Sequence, residues 1–173
     1  MDKFIEESIR FCYVCSVNDK TVKATAQPVT TIEWPKRPWE KVAIDVRGPD
    51  ASMGVHNRFA IVLIDYYSKW VEVELVDQVT TVNIIKMLTR VFAREGYSEY
   101  LVSDNGKQFT SKNFEVFLGQ IGTEHIKTPL YHPMANGLVE RFNRTLGSFI
   151  QTAKVLGGDL TERIQYMISM YNA

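Results

Sequence analysis

Cysteine and long apolar runs are scarce in this chain of 173 residues. Its two cysteines, Cys12 and Cys15, are too few for a disulfide framework, which excludes the small secreted proteins that depend on one. No run of about 18 apolar residues is present, so no membrane-spanning helix and no membrane partner are expected. The first seven residues are too charged for a signal peptide. These absences predict a soluble intracellular protein.

An excess of charge of either sign is also lacking. The chain has 20 basic and 20 acidic residues, a formal net charge of zero and a pI near 6.8. Most nucleic-acid-binding domains carry a basic excess. However, an acidic site that binds divalent cations would place positive charge where a phosphate has to lie. The overall charge therefore neither favours nor excludes a nucleic-acid substrate. Length and a 45% hydrophobic content fit one domain with a sizeable core.

The two cysteines form a C-x-x-C pair, which is half of a tetrahedral zinc site. No histidine precedes them, and the first one that follows is His56. We therefore interpret residues 1–16 as the tail of a truncated zinc-binding module. Zn²⁺ is expected at Cys12 and Cys15 only if the missing half of that module is present.

The following segment, residues 17–40, is polar and contains three prolines, as is typical of an extended linker. The globular domain is predicted to occupy residues 41–173. Phe59–Ile64 is a continuous apolar run, which indicates a strand covered on both faces. Val71–Leu75 alternates apolar and acidic residues, which indicates a strand with one solvated face.

Periodicity predicts five strands and four helices. The strands are placed at 41–47, 59–64, 71–75, 100–103 and 124–127; the helices run over about 82–94, from Ser111 to about 121, over 137–155 and over 160–172. The first three strands can form an antiparallel meander, and the later ones join through helical crossovers. The predicted fold class is α/β, with a mixed five-stranded sheet and helices on both faces.

One carboxylate, Asp45, interrupts an apolar strand. An ionised carboxylate in such a run is costly unless it is paired or bound to a metal. The alternative is that Asp45 caps a neighbouring turn. Asp65, after the second strand, competes for the same role, but a turn at the strand end or pairing with Lys69 explains it well. The sequence favours Asp45.

Two further acids can converge with Asp45. Asp104 follows the fourth strand, and Glu140 lies in the first turns of the long helix, with 35 residues between them. Although Asp104-Asn105-Gly106 alone is an ordinary turn, the three acids can meet at one edge of the sheet. Converging carboxylates are the ligands of hard divalent cations, and they suit two-metal phosphoryl transfer. Asp45, Asp104 and Glu140 are therefore the predicted catalytic and metal-binding residues.

The face of the long helix that carries Glu140 is rich in hydrogen-bond donors. Positions three, four, seven, eleven and fourteen residues after Glu140 share this face. Such a row can bind DNA phosphates, although a solvated helix face explains the pattern equally well. His132, in the loop before the helix, can contact the substrate or only order the loop. The predicted DNA-binding residues are Asn143, Arg144, Gln151, Lys154 and His132.

Taken in order, these motifs resemble the catalytic core of integrases. The acids are separated by 58 and 35 residues, and they stand in the segments 42–45, 103–109 and 131–141. The resemblance is greatest to integrases of gypsy-type LTR retrotransposons, which are related to retroviral integrases. It covers roughly residues 38–173, and Phe4–Cys15 resembles the end of that family's His-His-Cys-Cys zinc domain. Gly147 stands where these helices often carry a lysine that holds the DNA end.

The resemblance implies a ribonuclease-H-like fold and Mg²⁺ or Mn²⁺ as cofactor, with two ions when DNA is bound. It also implies 3′-end processing and strand transfer of element ends into a target duplex. Such a protein assembles into homo-oligomers and acts in the nucleus, with assembly in the cytoplasm as an alternative.

Two other functions are compatible with the sequence. The chain can be a host-adopted, catalytically inactive integrase derivative that serves as a DNA-binding or interaction module. It can also be a ribonuclease-H-type nuclease, which would share the acidic site but would not explain the Tyr131–Arg141 motif.

Overall fold

The apolar runs of the sequence become the strands of one sheet in a computed structural model that describes residues 34–50, 53, 56–128 and 137–173. Trp34–Ala173 make up one compact unit. The predicted zinc-module tail with Cys12 and Cys15, most of the predicted linker, and His132 lie outside the described residues. Within the described part of the chain, no helix is long and apolar enough to cross a membrane.

The sheet contains five strands in the order β3-β2-β1-β4-β5. They are β1 (Lys41–Arg47), β2 (Phe59–Asp65), β3 (Val71–Val76), β4 (Tyr100–Ser103) and β5 (Glu124–Lys127). The pairs β1–β2 and β2–β3 are antiparallel, whereas β1–β4 and β4–β5 are parallel. The predicted mixed sheet, with a meander followed by crossovers, is confirmed. The centre of the sheet is β1, the strand that carries Asp45.

The helices are α1 (Thr81–Glu95), α2 (Lys112–Ile121), α3 (Gly137–Leu156) and α4 (Leu160–Asn172). Thr80 and Ser111 accept hydrogen bonds through their side chains from the backbone N–H three residues further along the chain. Asp159 caps α4 in the same way. These three helices therefore begin where a side-chain oxygen satisfies a backbone N–H that the helix itself leaves unpaired.

Two apolar cores lie on opposite faces of the sheet. One is formed with α3 and α4, and the other with α1 and α2. In α3, Leu138 and Phe149 are only partly buried, whereas Val139 and Ala153 are buried. The fully buried residues of α3 are Val139, Phe142, Leu146, Ile150 and Ala153. This stripe directs the opposite face of α3, which begins at Glu140, away from the core.

The edge strand β3 is covered by polar side chains of α4. Asn172 accepts a hydrogen bond from the Val71 N–H through Oδ1 at 3.0 Å and donates to the Val71 carbonyl from Nδ2 at 2.9 Å. Gln165 donates from Nε2 to the Val73 carbonyl at 2.9 Å. The two amide side chains thus replace part of the neighbouring strand that β3 lacks.

Replacing Asn172 with Ala leaves two backbone groups of the edge strand without their partner. We expect the free energy of unfolding to fall by about 1–2 kcal/mol, because each lost hydrogen bond contributes about 1 kcal/mol. For a domain of this size, that corresponds to a decrease of several degrees in Tm, at about 2–4 °C per kcal/mol. Differential scanning calorimetry measures it, with Met170→Ala, an exposed position of the same helix, as control. An unchanged Tm in Asn172→Ala would contradict the stabilising role.

Candidate active site

The strand β1 presents Asp45 at the boundary between core and solvent. Val42, Ala43 and Ile44 are fully buried, whereas Asp45 is half-buried. Its Oδ2 accepts a hydrogen bond of 2.7 Å from Nδ2 of Asn143 on α3. This contact joins the central strand directly to the helix that carries Glu140.

The carboxyl group of Asp45 has a raised pKa. Burial is the largest cause, and the negative charges of Asp104 and Glu140 raise the pKa further. Hydrogen bonds from the Val46 backbone and from Asn143 oppose the shift because they stabilise the ionised form. Asp104, at the end of β4, and Glu140, on α3, therefore both act electrostatically on Asp45 of β1.

Asp104 is exposed in the turn that follows β4. Its Oδ1 accepts a hydrogen bond of 2.9 Å from the Gly106 N–H, so the turn orients the carboxylate. The preceding Ser103 is fully buried, and its hydroxyl donates to the Asp104 carbonyl at 2.8 Å. Asn105 donates from Nδ2 to the Thr128 carbonyl at 2.8 Å, which joins the turn to the end of β5. The backbone that carries Asp104 is thus held on both sides.

Glu140 lies in the first turn of α3 and is exposed. Its neighbours Val139 and Phe142 are buried against the sheet. Their packing fixes the rotation of the helix and so keeps Glu140 on the side of Asn143, which contacts Asp45. The position of Glu140 is set by the core on one side and by the Asn143 contact on the other.

The carboxylate oxygens of Asp45, Asp104 and Glu140 are suitable ligands for a divalent cation, but the three side chains do not form a compact cluster. Among the described residues, no group of three or more His, Cys, Asp or Glu side chains lies close enough together to hold a metal ion. Asp45 and Asp104 accept hydrogen bonds from Asn143 and Gly106. Two negative charges nevertheless act on a half-buried third carboxylate, and a cation would relieve that repulsion. Oxygen-only ligands fit Mg²⁺ or Mn²⁺ in their chemistry.

Asp65, the alternative to Asp45, is surrounded by hydrogen-bond donors that give it a structural role. It is fully buried, and its Oδ1 accepts hydrogen bonds from the backbone N–H groups of Trp39 and Tyr67, each at 3.2 Å. Its Oδ2 accepts from the N–H and the hydroxyl of Ser68 at 2.8 and 2.6 Å. The Asp65 carboxylate thus accepts four hydrogen bonds, which order the β2–β3 turn and the segment before β1. This agrees with the turn that the sequence suggested for Asp65.

The predicted DNA-binding residues of α3 have different environments. Arg144 and Gln151 are exposed, and Lys154 is half-buried with its Nζ 3.9 Å from a carboxylate oxygen of Asp50. Asn143 instead turns toward the sheet and contacts Asp45. The structure therefore brings Asn143 to Asp45 and leaves Arg144 and Gln151 on the solvent side.

Sequence reasoning missed Arg47 as a residue of this site. Arg47 lies two residues after Asp45 on β1, and its Nη1 donates a hydrogen bond of 2.6 Å to the Asn143 carbonyl. The signal was the alternation of the strand, which puts Asp45 and Arg47 on the same face. Gly147, one turn after Asn143 on the facing helix, was a second signal, because a glycine there leaves space for the Arg47 side chain.

The chain is similar to a Caenorhabditis elegans protein and to retroviral polyproteins. It is 33% identical to an uncharacterized Caenorhabditis elegans protein over 175 aligned residues, which cover 99% of this chain and 13% of that protein. It is 30% identical to the Gag-Pol polyprotein of walleye dermal sarcoma virus over 145 residues, 83% of this chain and 8% of the polyprotein. The chain thus spans about an eighth or less of these two relatives.

Solved structures share the fold at lower identity. A chain of the simian T-cell lymphotropic virus intasome superposes with a TM-score of 0.70 at 19% identity, covering 91% of this chain and 55% of that one. The HTLV-2 integrase catalytic core domain, solved in complex with magnesium in a dimeric form, gives a TM-score of 0.62 at 20% identity, covering 76% and 84%. The predicted ribonuclease-H-like fold is confirmed. The family model of the integrase core domain matches residues 35–133, and the chain belongs to this family.

Proposed function

We propose that this chain is a polynucleotidyl transferase that processes the 3′ ends of retroelement DNA and transfers them into target DNA. The observation that carries the proposal is the electrostatic convergence on Asp45, whose pKa is raised by Asp104 and Glu140 as well as by burial. Membership of the integrase core domain family supports the same chemistry. The Tyr131–Arg141 motif supports the finer assignment to gypsy-type retrotransposons.

Asp45, Asp104 and Glu140 would hold Mg²⁺ or Mn²⁺, two ions when DNA is bound. Such ions lower the pKa of an attacking water or 3′-hydroxyl and stabilise the leaving oxygen of an in-line displacement. The protein itself orients the carboxylates that would bind the ions. Asn143 fixes one carboxylate oxygen of Asp45, and the Gly106 N–H fixes one of Asp104. Supporting hydrogen bonds of this kind orient carboxylate ligands.

The exposed face of α3 would bind the DNA backbone. Arg144 and Gln151 offer donors to phosphate oxygens, and Lys154 lies further along the same face. Contacts of this kind position DNA without reading its sequence. The expected partners are element ends and a target duplex, with homo-oligomers as the working assembly and the nucleus as the site of action. Intasome and dimeric relatives support the oligomer.

The test compares this chain with Glu140→Gln, which removes one charge and keeps the shape of the side chain. Calorimetry with Mn²⁺ and a DNA disintegration assay are run on both proteins. We expect Mn²⁺ binding at millimolar or lower concentration in the wild type and loss of both metal binding and cleavage in the variant. Glu124→Gln, at an exposed position on β5, is the charge-matched control and should behave as the wild type.

The outcomes separate the enzyme from its alternative. Metal binding without cleavage would leave a sound site that needs further parts of the protein for catalysis. If the wild type binds no Mn²⁺ at millimolar concentration, the enzyme proposal is wrong. The host-adopted, catalytically inactive DNA-binding or interaction module then takes its place.

A further inference from the structure

Arg47 forms a hydrogen bond with the helix that carries Glu140. Strand alternation places its side chain on the same face of β1 as Asp45. Its Nη1 donates to the backbone carbonyl of Asn143 at 2.6 Å, a contact between residues 96 positions apart. The side chain is half-buried, so this hydrogen bond is less exposed to competition from water than a surface contact.

Both the backbone and the side chain of Asn143 form hydrogen bonds with β1. Its carbonyl accepts from Arg47, and its side-chain amide donates to Asp45 at 2.7 Å. Both partners belong to β1 and are two residues apart. The three residues therefore form a closed set of contacts, which we call the β1–α3 clamp, that can fix the distance and rotation of α3 relative to β1.

Gly147 makes room for the clamp. A Cβ atom at this position would lie 3.0 Å from Nη2 and 3.2 Å from Nη1 of Arg47, which is closer than ordinary contact. The guanidinium thus occupies the space above the helix where any other residue would place its side chain. A larger residue at position 147 would push the guanidinium away from the Asn143 carbonyl.

The inner edge of the guanidinium faces the protein. Arg47 Nε is buried, and within the described residues it has no hydrogen-bond partner. An arginine that serves as a phosphate ligand presents its N–H groups to solvent, where a phosphate can approach. Arg47 instead directs Nη1 to a backbone carbonyl and buries Nε. This geometry favours a role within the protein over direct contact with DNA.

We propose that Arg47 is a positioning residue, which through the β1–α3 clamp docks the helix that carries Glu140 against the strand that carries Asp45 and so supports divalent-cation binding by these acids. The proposal deepens the proposed transferase function and rests on it. A helix that shifts by a fraction of an ångström moves one carboxylate relative to the other, and metal sites depend on such supporting contacts. Arg47 then affects metal binding without touching the metal.

The test pairs Arg47→Met with Arg144→Met. Methionine keeps the apolar stem and removes the charge and the hydrogen bonds. For Arg47→Met we expect Mn²⁺ affinity to fall about tenfold, since loss of a supporting contact costs about 10–100-fold. We also expect the salt dependence of DNA binding to stay unchanged. For the exposed Arg144 the expectation is reversed, with unchanged Mn²⁺ affinity and a salt slope smaller by about 1.

A crystal structure of Arg47→Met gives a measurement that needs neither metal nor DNA. We expect the distance from Asn143 Nδ2 to Asp45 Oδ2 to exceed 3.5 Å, against 2.7 Å with Arg47 in place. Gly147→Ala should give a smaller change in the same direction, because the flexible guanidinium can partly yield.

Two results would overturn the proposal. In the first, Arg47→Met reduces the salt slope by about 1 and leaves Mn²⁺ affinity unchanged, which would make Arg47 a phosphate ligand. In the second, the Asn143–Asp45 distance stays at 2.7 Å in the variant. If the wild type binds no Mn²⁺ at all, the proposed function fails, and the crystallographic distance then decides on the clamp separately.

Discussion

Asp45→Asn is expected to abolish DNA strand transfer without destabilising the domain. Asparagine keeps the shape of the side chain, and its oxygen can still accept the hydrogen bond from Asn143. It cannot supply the negative charge that a divalent cation requires. We expect activity to fall by more than about 100-fold, beyond the 10–100-fold cost of losing a group that only supports a metal ligand.

The change in stability caused by Asp45→Asn also has an expected direction. Burial and the charges of Asp104 and Glu140 raise the pKa of Asp45 in the folded state. A raised folded-state pKa means that ionisation of the carboxyl group at neutral pH lowers the free energy of unfolding. Because asparagine does not ionise, Tm at pH 7 without metal should be equal to or higher than that of the wild type.

Both quantities are measured on one preparation, by a strand-transfer or disintegration assay with Mn²⁺ and by thermal unfolding. Asp77→Asn, an exposed position just after β3, is the control and should change neither. An Asp45→Asn protein that retains activity within a few-fold would remove Asp45 from the catalytic set. A marked decrease in Tm would mean that the carboxylate is a structural group.

Asp65→Ala is expected to produce the opposite result, a large loss of stability. The substitution leaves four donors without their acceptor: the N–H groups of Trp39, Tyr67 and Ser68 and the Ser68 hydroxyl. Unsatisfied buried donors cost about 1–3 kcal/mol each, and partial access of water reduces the sum. We expect the free energy of unfolding to fall by about 3 kcal/mol.

Urea unfolding at pH 7 measures this change, and Asp77→Ala is the matched control. Mn²⁺ affinity of the folded fraction should remain that of the wild type, because Asp65 is occupied by the turn and not by the acidic site. Asp65→Ala with wild-type stability but lost Mn²⁺ binding would mean that Asp65, and not Asp45, is the metal ligand.

The sequence was sufficient for the fold because its signals are local. The alternation in β3, the apolar run in β2 and the caps at Thr80 and Ser111 all depend on residues within a few positions of one another. These patterns predicted the strands and helices to within one or two residues. The parallel and antiparallel pairings then followed from the lengths of the connections.

The contacts around Asp45 could not be predicted in the same way. Asn143 lies on the helix face that was predicted to bind DNA, and only the packing of Val139 and Phe142 determines that its amide reaches Asp45. The Arg47–Asn143 contact joins residues 96 positions apart. Such contacts depend on how two elements dock, and periodicity within either element carries no information about docking.

The amide side chains of α4 on β3 have a consequence for how copies of this chain can meet. A free edge strand is a template on which another chain can add its own strand. At Val71 both backbone groups are occupied by Asn172, and the Val73 carbonyl is occupied by Gln165. A second molecule would have to displace α4 before its backbone could pair there. The α4 side chains therefore oppose continuation of the sheet across β3 at Val71 and Val73.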